Sequence, residues 1–238
     1  MDDGAEDLEE TRRLLKMEYE QGVRNIIVTP HFRHQMFETP IRVVRKQFKL
    51  VQQCVQDMNK ECGGDLKVYL GCEFHANMEM TKMLEEGKVS IMASSGYVLI
   101  EFSENDSGTY IEERIRSLVA VGYRPVIAHI ERCENLRNDL ELIRELTDVG
   151  AYMQVNTNSV LGNHGFFTKR FCGKLMKEDL LHFIGSDCHD SRYRICNIGE
   201  AYNMVSKKAG QEYADRIFIE NPYKILKNSE SRKKIKNI

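Results

Sequence analysis

The chain has no tryptophan, only four prolines in 238 residues, and no pair of cysteines spaced C-x-x-C. Without such pairs, and with an odd count of seven thiols scattered at Cys54, Cys62, Cys72, Cys133, Cys172, Cys188 and Cys196, neither a zinc ribbon nor a disulfide framework is indicated. The thiols are expected to be reduced, and several to be buried. Scarce proline and the lack of any low-complexity tract leave no linker to mark a boundary, so one domain over residues 1–238 is expected. No apolar run approaches the roughly 20 residues that a membrane helix needs. The N-terminus is acidic where a signal peptide would be basic and then apolar, so a cytoplasmic protein with no membrane insertion is expected. An excess of one charge is lacking too: Lys plus Arg is 34 against 36 for Asp plus Glu, which gives nucleic acid no attracting field. The short basic end, Ser231 to Ile238, is expected to be solvated. What is present is an ordinary globular balance, 42% hydrophobic and 29% charged, in a chain long enough to bury a substantial core.

One unit recurs: an amphipathic helix, a glycine, then a short apolar run. Asp7 to Glu20 ends at Gly22 and feeds Asn25 to Val28; Ile111 to Val121 ends at Gly122 and feeds Pro125 to Ala128; Leu140 to Val149 ends at Gly150 and feeds Ala151 to Val155. Glycine just past a helix end supplies a left-handed cap. After Pro40 a long helix is expected, with Val44, Phe48, Val51, Val55 and Met58 forming one apolar stripe. Further strand candidates are Lys67 to Phe74, Tyr97 to Phe102 and His182 to Asp187. Their nearly continuous apolar character fits a parallel sheet buried on both faces. About six strands alternating with helices predict an α/β fold, either a βα barrel or a doubly wound sheet.

The residues at which these runs stop carry the chemistry. They are His31, Glu73, Glu101, His129, Asn156, and Asp187 with His189. In a parallel barrel the strand C-termini converge on one mouth, so side chains distant in sequence meet there. A single histidine ending a strand is commonly a hydrogen-bonded structural residue. Several strand ends that independently present imidazoles and carboxylates predict a metal site, for more than one ion, built from His31, Glu73, His129, Asp187 and His189. Glu101 and Asn156 are weaker candidates because neither is needed to complete it. His34, His75, His164 and His182 lack comparable context and are read as surface or packing residues.

Ions held by nitrogen and oxygen acidify bound water and clamp the oxygens of an in-line displacement, which points to hydrolysis of a phosphate or an amide. Arg132 follows His129 closely and Arg194 follows His189. Guanidinium forks suit phosphate oxygens, so these two arginines favour a phosphomonoester.

The segments DDGAEDLEET (Asp2 to Thr11), VTPHF and MFETP (Val28 to Pro40), GCE (Gly71 to Glu73), AHIER (Ala128 to Arg132), QVNTNSVLG (Gln154 to Gly162), GSDCHDSRYR (Gly185 to Arg194) and NPYKILKN (Asn221 to Asn228) follow one another along nearly the whole chain. In order and spacing they resemble the polymerase-and-histidinol-phosphatase (PHP) superfamily. Within it, they resemble the bacterial manganese-dependent tyrosine-protein phosphatases encoded with capsule and exopolysaccharide genes. The resemblance implies a distorted (β/α)7 TIM-like barrel, with two or three Mn2+ ions, or other divalent metals, held by His31, Glu73, His129, Asp187 and His189. Glu73 would bridge two ions, and the acidic pair before Gly4 would add a carboxylate, foremost Asp3, with Asp2 left open. Arg132 and Arg194 would hold the phosphate. The implied partner is a phosphotyrosine protein, a bacterial tyrosine autokinase that controls polysaccharide assembly.

The chain departs from the family pattern at Ile130, where proline is usual, and at Cys188, where alanine is usual. The family also opens with a short strand carrying His-x-His before the DDG segment; here Met1 precedes Asp2, so the first strand is expected to be missing or truncated. A start placed too late and a genuinely truncated, inactive copy are the two explanations. A PHP-type small-molecule phosphatase, such as one acting on histidinol phosphate, is the alternative enzyme. Cys188 and Arg194 also match the C-x5-R spacing of thiol-based tyrosine phosphatases, but the residues between them contain no glycine for a tight anion-binding loop. Ser103 to Thr109 is a polar loop that either borders the active mouth or merely connects.

Overall fold

The computed structural model describes residues 2–236, with side chains to Ser229. The chain runs through α1 (Leu8–Glu20), β1 (Asn25–Val28), β2 (His31–Phe32), α2 (Ile41–Cys62), β3 (Lys67–Leu70), β4 (Glu73–His75), α3 (Met80–Glu85), β5 (Tyr97–Glu101), α4 (Gly108–Ala120) and β6 (Arg124–Ile127). It continues through α5 (Glu134–Asn138), α6 (Leu140–Asp148), β7 (Tyr152–Asn156), α7 (Thr157–Leu161), α8 (Phe166–Lys177), β8 (Phe183–Gly185), α9 (Ile198–Ala209), α10 (Gln211–Asp215) and α11 (Asn221–Lys236). The side chains of the basic end and residues 237–238 lie outside the described residues, as does Met1.

Every strand pairing is parallel, and the strands follow chain order: β1 with β3, then β2-β4-β5-β6-β7-β8. Two of the expected apolar runs are each split in two. Thr29-Pro30 interrupts the first, because proline has no N–H for the ladder. Gly71-Cys72 interrupts its neighbour. A Cβ at Gly71 would stand 3.0 Å from Ile27 Cγ2 and 3.1 Å from Thr29 Cγ2, so only glycine admits that close approach of the two segments.

The three glycines expected past helix ends, Gly22, Gly122 and Gly150, all have positive φ (95°, 84° and 105°) and close their helices. In α2 the apolar stripe is buried only in its second half, at Val55 and Met58; Val44, Phe48 and Val51 are half-exposed.

Alternation along the strands sorts side chains onto two apolar layers, which is why the runs read as continuously apolar. Val98 and Ile100 of β5 and Ile127 of β6 face Ile111, Ile115 and Leu118 of α4 and Leu146 of α6. Tyr97 and Leu99 of β5 and Val126 of β6 face the other way, packing with Phe183 and with Ile225 of α11. Each fully buried side chain of this kind contributes about 1.5–3 kcal/mol. Glu101 continues the Tyr97 and Leu99 alternation, so it rises above that second layer.

The main sheet has edges at β2 and β8. A flat sheet of six strands would hold its edges about 24 Å apart. Yet the rings of His31, on β2, and His189, just beyond β8, lie 5.7 Å apart. The sheet is therefore curled, and its C-terminal strand ends close around one site. This is the α/β arrangement expected, with six parallel runs in a partly closed sheet. Among the described residues no helix is long and apolar enough to cross a membrane.

Candidate metal centre

Two groups of donor atoms, each within 4.8 Å of one another, share His31: Asp3, His31 and His189, and His31, Glu73 and Glu101. Asp3 Oδ1 lies 3.2 Å from His31 Nε2 and 3.5 Å from His189 Nε2. Asp2 is used differently. Its carboxylate accepts the backbone N–H of His31 at 2.8 Å and that of Gly4 at 3.2 Å, which satisfies a donor on an edge strand. Glu73 faces His31 Nδ1 at 3.9 Å and bonds His129 Nε2 at 2.7 Å, while Glu101 Oε1 lies 3.8 Å from His129 Nε2.

Of the six residues expected as metal ligands, Asp3, His31, Glu73 and His189 enter these two groups, and His129 joins through Glu73. Asp187 stands at their border, its Oδ1 3.6 Å from His189 Nδ1. Its other oxygen accepts from Arg132 at 2.8 Å, Arg194 at 3.0 Å and Asn156 Nδ2 at 2.6 Å. Arg194 also reaches Asp3 at 3.3 Å. The two arginines expected to hold phosphate thus face the donor cluster from one side. Glu101, ranked below the others in the sequence, is one of the grouped donors. Asn156 acts on Asp187 as a hydrogen-bond donor.

Local backbone geometry aims these groups. His129 (φ 30°) and Asp187 (φ 51°) sit in the left-handed region that side chains other than glycine rarely adopt, and such strain gathers at functional sites. Gln154 Oε1 accepts the N–H of His129 at 2.7 Å, and Gln154 Nε2 donates to Asn156 Oδ1 at 3.0 Å. Glu131, only 2% exposed, accepts the N–H of Asn156 at 2.9 Å. After His189 the chain turns around Asp190, whose carboxylate takes the N–H groups of Arg192, Tyr193 and Arg194 and is held below the usual range, chiefly by the Tyr193 bond.

Burial by itself would raise the Asp187 carboxyl, but Arg132 and then Arg194 outweigh it and hold it low. Burial disfavours the His129 cation, yet the hydrogen bond and charge of Glu73 win, so the imidazole is held above its ordinary value. The Cys188 thiol is pushed up to about 12 by burial and by the nearby carboxylates of Glu18, Asp190 and Asp187. It stays protonated at neutral pH, which removes the nucleophile that C-x5-R chemistry requires. All seven thiols are free, and four of them, Cys72, Cys133, Cys172 and Cys196, are buried.

The donor set is imidazole nitrogen and carboxylate oxygen with no thiolate, and this fits a divalent ion of the manganese, iron or zinc kind. Beside it opens a cavity of about 460 Å³ whose wall includes Glu101, His129 and Arg132. Ser103 and Glu104 also line it, so the polar loop after β5 does border the mouth. His75 and His164, read from sequence as background, are on its wall, held by Ser103 and Ser159 at 3.0 Å each. Arg33 and Arg137 line it as well, and no motif had singled them out.

Residues 1–227 match the family described as capsular polysaccharide synthesis, CpsB/CapC. The chain is 35% identical over 231 residues to the tyrosine-protein phosphatase CpsB of Streptococcus pneumoniae, covering 95% of this chain and 93% of that protein. It is 30% identical to the tyrosine-protein phosphatase YwqE of Bacillus subtilis, covering 97% and 86%. A solved structure, from work on YwqE of Bacillus subtilis and CpsB of Streptococcus pneumoniae described as unique metal-dependent tyrosine phosphatases, superposes with a TM-score of 0.86 at 29% identity. The overlap covers 96% of this chain and 90% of that one. The resemblance read from the motifs and these matches agree.

Proposed function

Because this chain belongs to the CpsB/CapC family of capsular polysaccharide synthesis, we propose that it is a metal-dependent tyrosine-protein phosphatase acting on phosphotyrosine in proteins. The observation that carries the reading is the gathering of Asp3, His31, Glu73, Glu101 and His189 into two donor groups beside Arg132 and Arg194. The finer readings proposed with it are a single domain of the (β/α)7 PHP type, two or three Mn2+ ions, and a cytoplasmic setting. A bacterial tyrosine autokinase of polysaccharide assembly is the proposed substrate protein.

In this reading Asp3, His31, Glu73, His129, Asp187 and His189 hold the ions, with Glu101 beside them. Divalent ions there supply Lewis acidity toward a phosphoryl oxygen and make water a better nucleophile near neutral pH. Arg132 and Arg194 take the equatorial oxygens of the phosphoryl group and offset the charge that builds on them. Asn156 and Gln154 keep Asp187 and His129 aimed, so that little reorganisation is needed during reaction. Tyrosine leaves as a phenol with a pKa near 10, acidic enough to depart with little help from a general acid. The cavity of about 460 Å³ beside the donor cluster has room for a side chain presented from a polypeptide.

The test compares phosphate release from a phosphotyrosine peptide and from histidinol phosphate, with and without added manganese. Manganese-stimulated turnover of the peptide, well above that of histidinol phosphate, is expected. Preference for histidinol phosphate, or peptide hydrolysis indifferent to chelation, would overturn the proposal.

A further inference from the structure

The cavity beside the metal centre holds two arginines beyond those assigned to the scissile phosphate. Arg33 and Arg137 line it together with Arg132. Arg132 is committed to Asp187 at 2.8 Å, whereas neither Arg33 nor Arg137 forms an ion pair among the described residues. Arg33 follows β2 in a tight turn pinned in both directions: its N–H donates to Phe37 O at 2.9 Å, and the N–H of Phe37 donates back at 2.8 Å. Arg137 lies near the end of α5, and its guanidinium reaches only the main-chain carbonyl of Glu131, at 3.5 Å. Both are half-buried.

None of the carboxylates on the same wall lies within ion-pair distance of Arg33 or Arg137 among the described residues: Glu101 points into the His31 and Glu73 donor group, Glu131 gives one oxygen to the N–H of Asn156 and keeps the other buried without a hydrogen bond, and Glu104 is exposed to solvent. Two guanidiniums without an ion-pair partner, in a cavity partly shielded from water, have N–H donors free to hold an anion with directed bonds. The metal centre, with Arg132 and Arg194, accounts for the scissile phosphate. The free capacity of Arg33 and Arg137 must serve another group.

We propose that Arg33 and Arg137 form a subsite for a second anion on the substrate polypeptide, a carboxylate or a further phosphoryl group near the phosphotyrosine, so that the enzyme favours phosphotyrosines in anionic surroundings. The inference rests on the phosphatase reading above and names the substrate class of that site.

Three phosphotyrosine peptides of equal length test it: one with neutral neighbours, one with Asp and Glu neighbours, and one with a second phosphotyrosine. Wild type, Arg33→Gln, Arg137→Gln and the double variant are assayed with manganese, with p-nitrophenyl phosphate as the substrate that has no flanking groups. Wild type is expected to favour an anionic peptide about tenfold in kcat/KM, as two charge-assisted contacts allow. Each substitution should cut that advantage about threefold through KM, and the double variant should abolish it, while p-nitrophenyl phosphate is turned over at the wild-type rate. Preference for the Asp and Glu peptide alone identifies a carboxylate subsite, and preference for the doubly phosphorylated one alone a phosphoryl subsite. Equal kcat/KM on all three peptides, or a preference that survives the double substitution, overturns the proposal. The same peptides carrying phosphonomethyl-phenylalanine, which cannot be hydrolysed, are titrated by fluorescence anisotropy and should show the same order of affinities. If even p-nitrophenyl phosphate is not hydrolysed, the phosphatase reading fails, and the anisotropy still decides whether the two arginines bind the second anion.

Discussion

Asn156 carries no charge, yet it sets the position of one that does. Its Nδ2 donates to Asp187 at 2.6 Å while its own N–H is fixed by the buried carboxylate of Glu131. Asn156→Ala is expected to free Asp187 and weaken manganese binding about tenfold, in the range seen for groups that orient metal ligands. Isothermal titration with manganese measures this, and an unchanged affinity would remove Asn156 from the site's supporting network. His182 makes a different prediction. Burial holds its imidazole below the ordinary 6.5, and its Nδ1 accepts the N–H of Met153 at 3.1 Å, a bond that needs the neutral ring. The unfolded chain therefore takes up that proton first. The stability involved is complete above pH 6.5 and is lost progressively as the pH falls below it. His182→Gln should flatten this acid slope in urea unfolding curves taken between about pH 7.5 and 5. A slope identical to wild type would assign the acid sensitivity to other groups.

At the scale of one element, α1 is a strut across the gap between the sheet edges. It starts where Asp7 accepts the N–H of Glu10 at 2.8 Å, and Glu10 in turn accepts the N–H of Ser191 at 2.6 Å in the loop that carries His189. Further along, Glu18 accepts from Ser186 at 2.7 Å, and Gln21 bonds both Cys196 O and the N–H of Gly199. Asp3 reaches the metal centre from just before this helix. Asp7→Ala is expected to cost about 1 kcal/mol of stability, the usual worth of such a cap. It should also lower manganese affinity, because the first turn that positions Asp3 frays. Thermal melts and a metal titration on the same variant check both halves, and lost stability with unchanged affinity would uncouple the helix from the centre. The helix itself was legible, since Asp7, the apolar spacing and Gly22 mark its two ends. Its tie to the loop after β8 was not, because Glu10 and Ser191 are far apart in sequence, and the segments that contain them do not show which residues pair.

For the whole molecule, the curl of the sheet would make metal binding at the candidate centre and folding one problem. The donors come from opposite ends of the strand order: His31 and Glu73 from β2 and β4, His189 from beyond β8, and Asp3 from the segment that spans the gap. An ion held by them cross-links edges that no strand pairing joins among the described residues. Binding to the folded chain alone stabilises it by about 2.7 kcal/mol when the ion is at a hundred times its Kd. Manganese should raise Tm by several degrees and EDTA should reverse the rise, with His189→Ala showing little of either. A Tm independent of metal would separate the cluster from the closure of the sheet.

The alternation of helices and apolar runs, the parallel sheet buried on both faces and the imidazoles and carboxylates where those runs break were legible in the sequence alone, although His31 and Glu73 open the short strands β2 and β4 instead of closing a run. Each depends on periodicity, or on residue type at a local boundary, and the chain carries that information within a few residues. Only the tertiary structure decided that Asp3 joins His31 while Asp2 holds the backbone, and that Glu101 stands among the donors. It likewise decided that Asp187 gathers both arginines, and that Arg33 and Arg137 share a cavity wall. Those relations are distances between residues separated by long stretches of chain, and the curl of the sheet and the course of its loops set such distances.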